Sequence, residues 1–226
     1  MPRENYQHRL DELRDDVVAM GDLVLDRYDD ALKAAETGDA ALAEAVVTGD
    51  HEVNDRYLAL EDECTELIAL QQPVAGDLRF IAASFKVITD LERVADLATN
   101  VAGYGHPEQG GVHEAVDLRP LGTAAGDMVA DAVAAYETAD LEACREVAAR
   151  DDDLDERCSA ATEAVVRDLL ADEANWTAGD AELEATLDEV SRSLLAVRDI
   201  ERVGDHAVNV AARTLYMVEN DDELIY

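Results

Sequence analysis

The chain has 226 residues, with 53 Asp+Glu against 18 Lys+Arg, a formal net charge of −35 and a pI near 4.1, yet 48% of its residues are hydrophobic. That much apolar material excludes a disordered acidic chain, and the length suits one large domain or two small ones. The acid is spread along the sequence and Lys33 and Lys86 are the only lysines, which excludes the clustered cations that a direct nucleic-acid partner requires and predicts a halophilic source, where salt screens the self-repulsion.

Strand signals are nearly absent, with only two Phe and one Trp, whereas Ala, Leu, Glu, Asp and Arg recur with helical period. The predicted fold class is all-α, with helices over residues 4–36, 39–71, 75–103, 117–137, 140–172 and 180–219. The first stops at Thr37-Gly38-Asp39, a C-terminal glycine followed by an N-cap aspartate. Gln72-Pro73 ends the second, because a residue before proline is pushed out of the α region. The stretch YGHPEQGGVHEAVD, residues 104–117, has no apolar period and reads as a linker. Thr138-Ala139-Asp140 then repeats the stop-and-cap without the glycine.

These punctuation marks are part of an internal repeat. Glu36-Thr37-Gly38-Asp39 matches Glu137-Thr138-Ala139-Asp140, Asp26 matches Asp127 and Asp50 matches Asp151, each at a separation of 101 residues. The phrase DLERVADLATNVA, residues 90–102, returns as DIERVGDHAVNVA, residues 199–211, at a separation of 109. An eight-residue insertion around ADEANWTA reconciles the two separations and predicts two tandem antiparallel three-helix bundles. The first covers residues 1–103 and the second 118–226, joined by the linker 104–117. Trp176, inside the insertion, is expected to cap the helix ends.

Part of the doubled phrase is packing: Val94, Leu97, Val101, Val203 and Val210 recur at helical spacing and point inward. The polar agreement needs another cause. Glu92, Asp96 and Asn100 share one stripe rotated away from the valines, as do Glu201, Asp205 and Asn209. Like charges at i and i+4 cost a helix about 0.2–0.5 kcal/mol unless a positive charge offsets them. That charge is either a helix-surface arginine, Arg93 three before Asp96 and Arg202 three before Asp205, or a bound metal ion. Carboxylate oxygens are hard ligands suited to Fe, Mn, Mg or Ca. Asp50 with Asn54, and Asp151 with Asp155, hold repeat-equivalent positions on the second helix of each half, from which they could face the stripes.

The doubled D-[LI]-E-R-[VI]-[AG]-D-x-A-x-N-[VI]-A phrase, on the third helix of each repeat, resembles the PhoU family of phosphate-uptake regulators over essentially the whole chain. The resemblance implies metal on two carboxylate motifs, held by Glu92 and Asp96 in one half and Glu201 and Asp205 in the other. Asp50, Asp151 and Asp155 are candidate further ligands, and Asp90, Arg93, Asn100, Asp199, Arg202 and Asn209 are motif-associated. It implies divalent or trivalent ions, iron first, with manganese, magnesium or zinc as alternatives. It also implies a homodimeric regulatory adaptor that contacts the ATPase of a phosphate ABC transporter and, where one exists, a sensor histidine kinase. The sequence departs from symmetry at Asn54 against Asp155 and at Ala95 against Gly204, and the first departure sets the two metal sites apart.

The remaining residues add little chemistry. His206 falls near the apolar side of its helix and is expected to pack, and no glutamate stands three residues before a histidine, which disfavours a ferritin-type di-iron enzyme. No phosphate loop, nucleophile elbow or Cys/His pair is present, so no enzyme is expected. A carboxylate-bridged metal enzyme or store, or a related subunit serving another transporter, stays as the alternative. The three cysteines show no C-x-x-C spacing, and their number and separation suggest neither disulfides nor zinc. With neither a leader nor an apolar run of about 20 residues, a cytoplasmic chain without membrane insertion is expected.

Overall fold

A computed structural model describes residues 3–70, 73–105, 111–171, 180–220 and 224. Of the ADEANWTA insertion only Ala171 is described, as the last residue of a helix; the rest, with Trp176, lies outside the described residues. All regular structure among them is helical: α1 (Arg3–Thr37), α2 (Ala40–Leu70), α3 (Ala75–Tyr104), α4 (Leu118–Thr138), α5 (Leu141–Ala149), α6 (Asp151–Ala171) and α7 (Asp180–Glu219). No helix among the described residues is long and apolar enough to cross a membrane.

The punctuation works as the residue types dictate. Gly38 takes φ 66° and donates its N–H to Ala34 O at 2.9 Å, after which Asp39 Oδ1 accepts from Ala41 N and Leu42 N. In the second half Ala139 adopts the same left-handed conformation, φ 55°, and Asp140 Oδ1 accepts from Glu142 N and Ala143 N. An L-residue there carries a steric cost of about 1–2 kcal/mol that glycine avoids.

The single helix expected over 140–172 is interrupted at one residue, Arg150, whose N–H reaches back to Val147 O in a tighter turn. Arg150 Nη2 donates to Asp131 Oδ2 on α4 at 2.6 Å, and three aspartates, Asp151 to Asp153, open the next helix, where negative charge suits the dipole. The repeat-equivalent residue is Gly49, inside the unbroken α2; the Arg27 guanidinium fills the space where a β-carbon would stand.

Helix α3 packs on α1 and α2, and α7 on α4, α5 and α6, while α3 against α7 and α1 against α4 join the halves into one core. The α1/α4 contact is antiparallel and nearly two-fold. A β-carbon on Gly21 would stand 2.9 Å from Val133 Cγ1, and one on Gly122 would overlap Leu32 Cδ2. Gly21 and Gly122 are repeat equivalents, and so are Leu32 and Val133. Each half supplies a glycine notch and an aliphatic side chain for the other. Cys64, Cys144 and Cys158 are buried and unpaired, and burial raises their thiols to about 12, 11 and 12.

Candidate metal centre

The repeated phrase sits on the helix pair that joins the halves. On α3 the residues Leu91, Val94, Ala95, Leu97, Ala98 and Val101 are buried, leaving Glu92 half-buried and Asp96 and Asn100 exposed. On α7 Val203, Ala207 and Val210 are buried, with Glu201 and Asn209 half-buried and Asp205 exposed. The stripe lies along the rim of the core, where helical period places it.

The second helix of each half brings more acid to this rim. Asp50 and Asn54 on α2 are half-buried, and Asn54 Nδ2 donates to Asp50 Oδ2 at 2.7 Å. Desolvation, with the charges of Asp96 and Asp50 behind it, raises the Glu92 carboxyl; desolvation and Asp50 raise Asp96. In the second half the amide is replaced by Asp155, and acid faces acid. Desolvation, then the charges of Asp155, Asp205, Asp152 and Glu201, push Asp151 up to about 6. Desolvation and Asp155 raise both Glu201 and Asp205. The packing of α2 on α3 and of α6 on α7 sets these carboxylates beside the two stripes.

Gly204 explains how α6 comes so near. A β-carbon there would overlap Leu154 Cδ2 and stand 3.6 Å from Asp151 Oδ1. The repeat-equivalent residues are Ala95 and Val53, one carbon more on α3 and one carbon fewer on α2. Asp151 Oδ1 is buried without a hydrogen-bond partner, an acceptor that water or a cation would satisfy.

Helix-surface arginines offset the rim charge only at a distance. Arg93 acts on Glu92 and Asp96, and Arg202 on Asp205, against the desolvation that raises these carboxyls. Among the described residues, however, neither Arg93 with Asp96 nor Arg202 with Asp205 forms an ion pair, and Arg202 Nη1 lies 3.9 Å from Asp199 Oδ1. The oxygen-only donor set of Asp50, Glu92 and Asp96, or of Asp151, Asp155, Glu201 and Asp205, has the chemistry of a hard-cation site. As the side chains stand, no three His, Cys, Asp or Glu among the described residues converge on one ion position. The donors flank a site without closing on it.

The first aspartate of each phrase does something else. Asp199 is fully buried and accepts from Tyr104 Oη at 2.7 Å, Arg198 Nη2 at 2.8 Å and Arg198 Nε at 3.1 Å. Asp90 Oδ1 pairs with His206 Nδ1 at 2.9 Å. Both contacts cross between α3 and α7, so these aspartates tie the halves together. The packing expected of His206 is met with a polar partner added. Tyr104 and Arg198 were not singled out in the sequence; the separation of 109 pairs them with Arg213 and Thr89, so no repeated identity marks them.

Comparison with known proteins follows the same division of the chain. The PhoU domain profile matches residues 17–104 and again 118–214. The phosphate-specific transport system accessory protein PhoU homolog of Pseudomonas putida is 30% identical over 97% of this chain and 82% of its own. The corresponding accessory protein PhoU of Edwardsiella tarda is 31% identical over 96% and 86%. The crystal structure of PhoU from Pseudomonas aeruginosa superposes with a TM-score of 0.86 at 30% identity, covering 96% of this chain and all of that one. The regulatory protein PhoU from Streptococcus pneumoniae, 24% identical with a TM-score of 0.81 over 96% and 98% of the two chains, shares the fold.

Proposed function

The chain belongs to the PhoU family, whose domain is matched in both halves, and from that premise we propose that it is a regulatory accessory protein of a phosphate transport system. It restrains phosphate import when phosphate is plentiful, by contact with the ATPase of a phosphate ABC transporter and, where one exists, with a sensor histidine kinase. It acts in the cytoplasm as a homodimer, and its charge of −35 is that of a protein working in high salt. The observation that carries the reading is the duplicated carboxylate rim, Glu92 and Asp96 facing Asp50, and Glu201 and Asp205 facing Asp151 and Asp155.

Hard cations, iron first, belong on these two rims. Bound there, they supply the positive charge that the carboxylates lack. Glu92 and Asp96 with Asp50, and Glu201 and Asp205 with Asp151 and Asp155, would hold the ions once their side chains close on them. Asp90 and Asp199 keep α3 and α7 in register, so that both rims face outward from one rigid pair. With Asn54 in place of a fourth carboxylate, the first rim carries one negative charge fewer and holds its ions more weakly than the second.

The test is binding of candidate transporter ATPases to tag-free protein in molar KCl, at high and low phosphate, with metal content measured on the same preparations. Binding to a phosphate transporter ATPase, and co-purified iron or another hard cation, are expected. The double variant Glu92→Ala, Asp96→Ala should lose metal from the first rim and keep its helical content. No ATPase binding under either condition overturns the regulatory reading. Oxygen or phosphoester turnover at the rims would make the protein a metal enzyme instead, and unfolding of the double variant would make the stripe structural.

A further inference from the structure

A groove of about 560 Å³ lies between α2 and α3, with Arg213 of α7 also on its lining and none of the rim carboxylates in it. Its floor is apolar, with Cys64 and Ile81 fully buried, and Ile68 and Phe85 form the walls. Two cations stand on its edge: Lys86 from α3 and Arg213 from α7.

Most cations of this chain are paired with carboxylates; among the described residues Arg79, Arg93 and Arg192 are not, nor are the two on this groove. Arg9, Arg27, Arg56, Arg119 and Arg150 are all held by carboxylates, and so is the other lysine, Lys33. Among the described residues Lys86 and Arg213 have no ion-pair partner, and the Nε of Arg213 is buried without an acceptor. The one carboxylate on the groove, Asp90, has its Oδ1 engaged by His206. In a molecule of charge −35, two unpaired cations facing one apolar floor need a reason.

The second half supplies an internal comparison. By repeat equivalence Lys86 becomes Leu195, Thr89 becomes Arg198, Asp90 becomes Asp199 and Arg213 becomes Tyr104. There Asp199 is saturated by Arg198 and Tyr104, and no cation is left over. The pair of a lysine and an arginine without carboxylate partners is therefore found at this groove and not at its repeat equivalent.

We propose that this groove binds a small amphipathic anion, with an acidic head between Lys86 and Arg213 and an aliphatic or aromatic body over Ile81 and Phe85. The volume falls within the roughly 300–1,000 Å³ of small-molecule sites, which combine an apolar lining with a few placed polar groups. Thr65 also lines the groove and adds a hydroxyl donor for the head, whereas the Thr89 hydroxyl already donates to Phe85 O at 2.9 Å. The protein's long-range negative field does not forbid this. At about 1 M salt the screening length is about 3 Å, so distant carboxylates are silenced, whereas the half-buried Arg213 contact is screened much less.

The experiment is calorimetric titration of the full chain in molar KCl with octanoate, with 1-octanol as the body alone and inorganic phosphate as a head alone. Octanoate should bind at one site, at least about tenfold more tightly than either control. Arg213→Gln and Lys86→Gln should each weaken it about tenfold, and Ala82→Trp, at an exposed position on the groove, should abolish binding with both cations intact. No octanoate binding, or binding unchanged in the variants, overturns the proposal. Equal binding of octanol reduces the groove to a greasy surface, equal binding of phosphate reduces it to a bare anion site, and either overturns it too. Should Arg213→Gln fail to fold, the two exposed-position variants decide.

Discussion

Asp151 gives the carboxylate rim its sharpest test, because its displacement has a worked sign. Its carboxyl is raised from an ordinary value near 3.8 to about 6, by desolvation first and then by Asp155, Asp205, Asp152 and Glu201. A raised acid holds its proton longer in the folded chain than in the unfolded one. Metal-free protein therefore carries a penalty that is complete above pH 6 and is relieved as pH falls toward 3.8. At about 1.4 kcal/mol for each tenfold change the ceiling is ~3 kcal/mol. Asp151 is half-open to solvent, which cuts the gain between pH 7.5 and 4.5 to about 0.5–1 kcal/mol. Asp151→Asn should remove this gain at a cost of only about 0.3–1 kcal/mol in helix-dipole stabilisation at the start of α6. The assay is guanidinium unfolding in chelator and constant high salt at both pH values. Acid denaturation of other carboxylates acts on both proteins, so the difference between their pH slopes isolates Asp151. Equal slopes would refute the repulsion argument. Adding a hard cation at about 100 times its Kd should stabilise the wild type by about 2.7 kcal/mol, and a variant that gains as much would remove Asp151 from the ligand set.

Tyr104→Phe deletes the 2.7 Å donor to buried Asp199 and should cost about 1.5–3 kcal/mol in denaturant unfolding; a loss below about 0.5 kcal/mol would mean that Arg198 alone suffices. Ala139→Gly relieves the left-handed cap and should stabilise by about 0.5–1 kcal/mol, whereas destabilisation would show that the strain argument fails at this turn. Lowering KCl from molar to tens of millimolar should depress the thermal midpoint, since it unscreens a charge of −35; equal midpoints would count against high-salt adaptation.

Helices and their ends were legible where the end is local chemistry, at Gly38 with Asp39 and at Ala139 with Asp140, whereas the stop expected at Gln72 lies outside the described residues. The break at Arg150 was not, because it belongs to a contact with Asp131 on another helix. The same limit governs the rim. Period alone gave the stripe of Glu92, Asp96 and Asn100 and set Asn54 one turn from Asp50 on α2, but the crowding around Asp151 depends on how α6 lies on α7. Repeated identity also carried two meanings that sequence cannot separate. Asp90 and Asp199 recur as faithfully as Glu92 and Glu201, yet they bind His206 and Tyr104 across the core.

Duplication explains why the two rims share a frame, and divergence explains why they differ. The frame is the antiparallel pairing of α3 with α7 and of α1 with α4, where reciprocal glycine notches at Gly21 and Gly122 fix the approach. Substituting either glycine would disturb both halves at once, because each notch receives the other half's side chain. The rim residues are freer, since they lie outside that packing. One half has Asn54, an amide that donates to Asp50 on the same helix. The other has Asp155, beside which the Asp151 carboxyl is raised to about 6 with one oxygen lacking a partner. An internally satisfied carboxylate has less to gain from a cation than a repelled one. Were cations bound as proposed, the second rim is where occupancy should respond most steeply to pH.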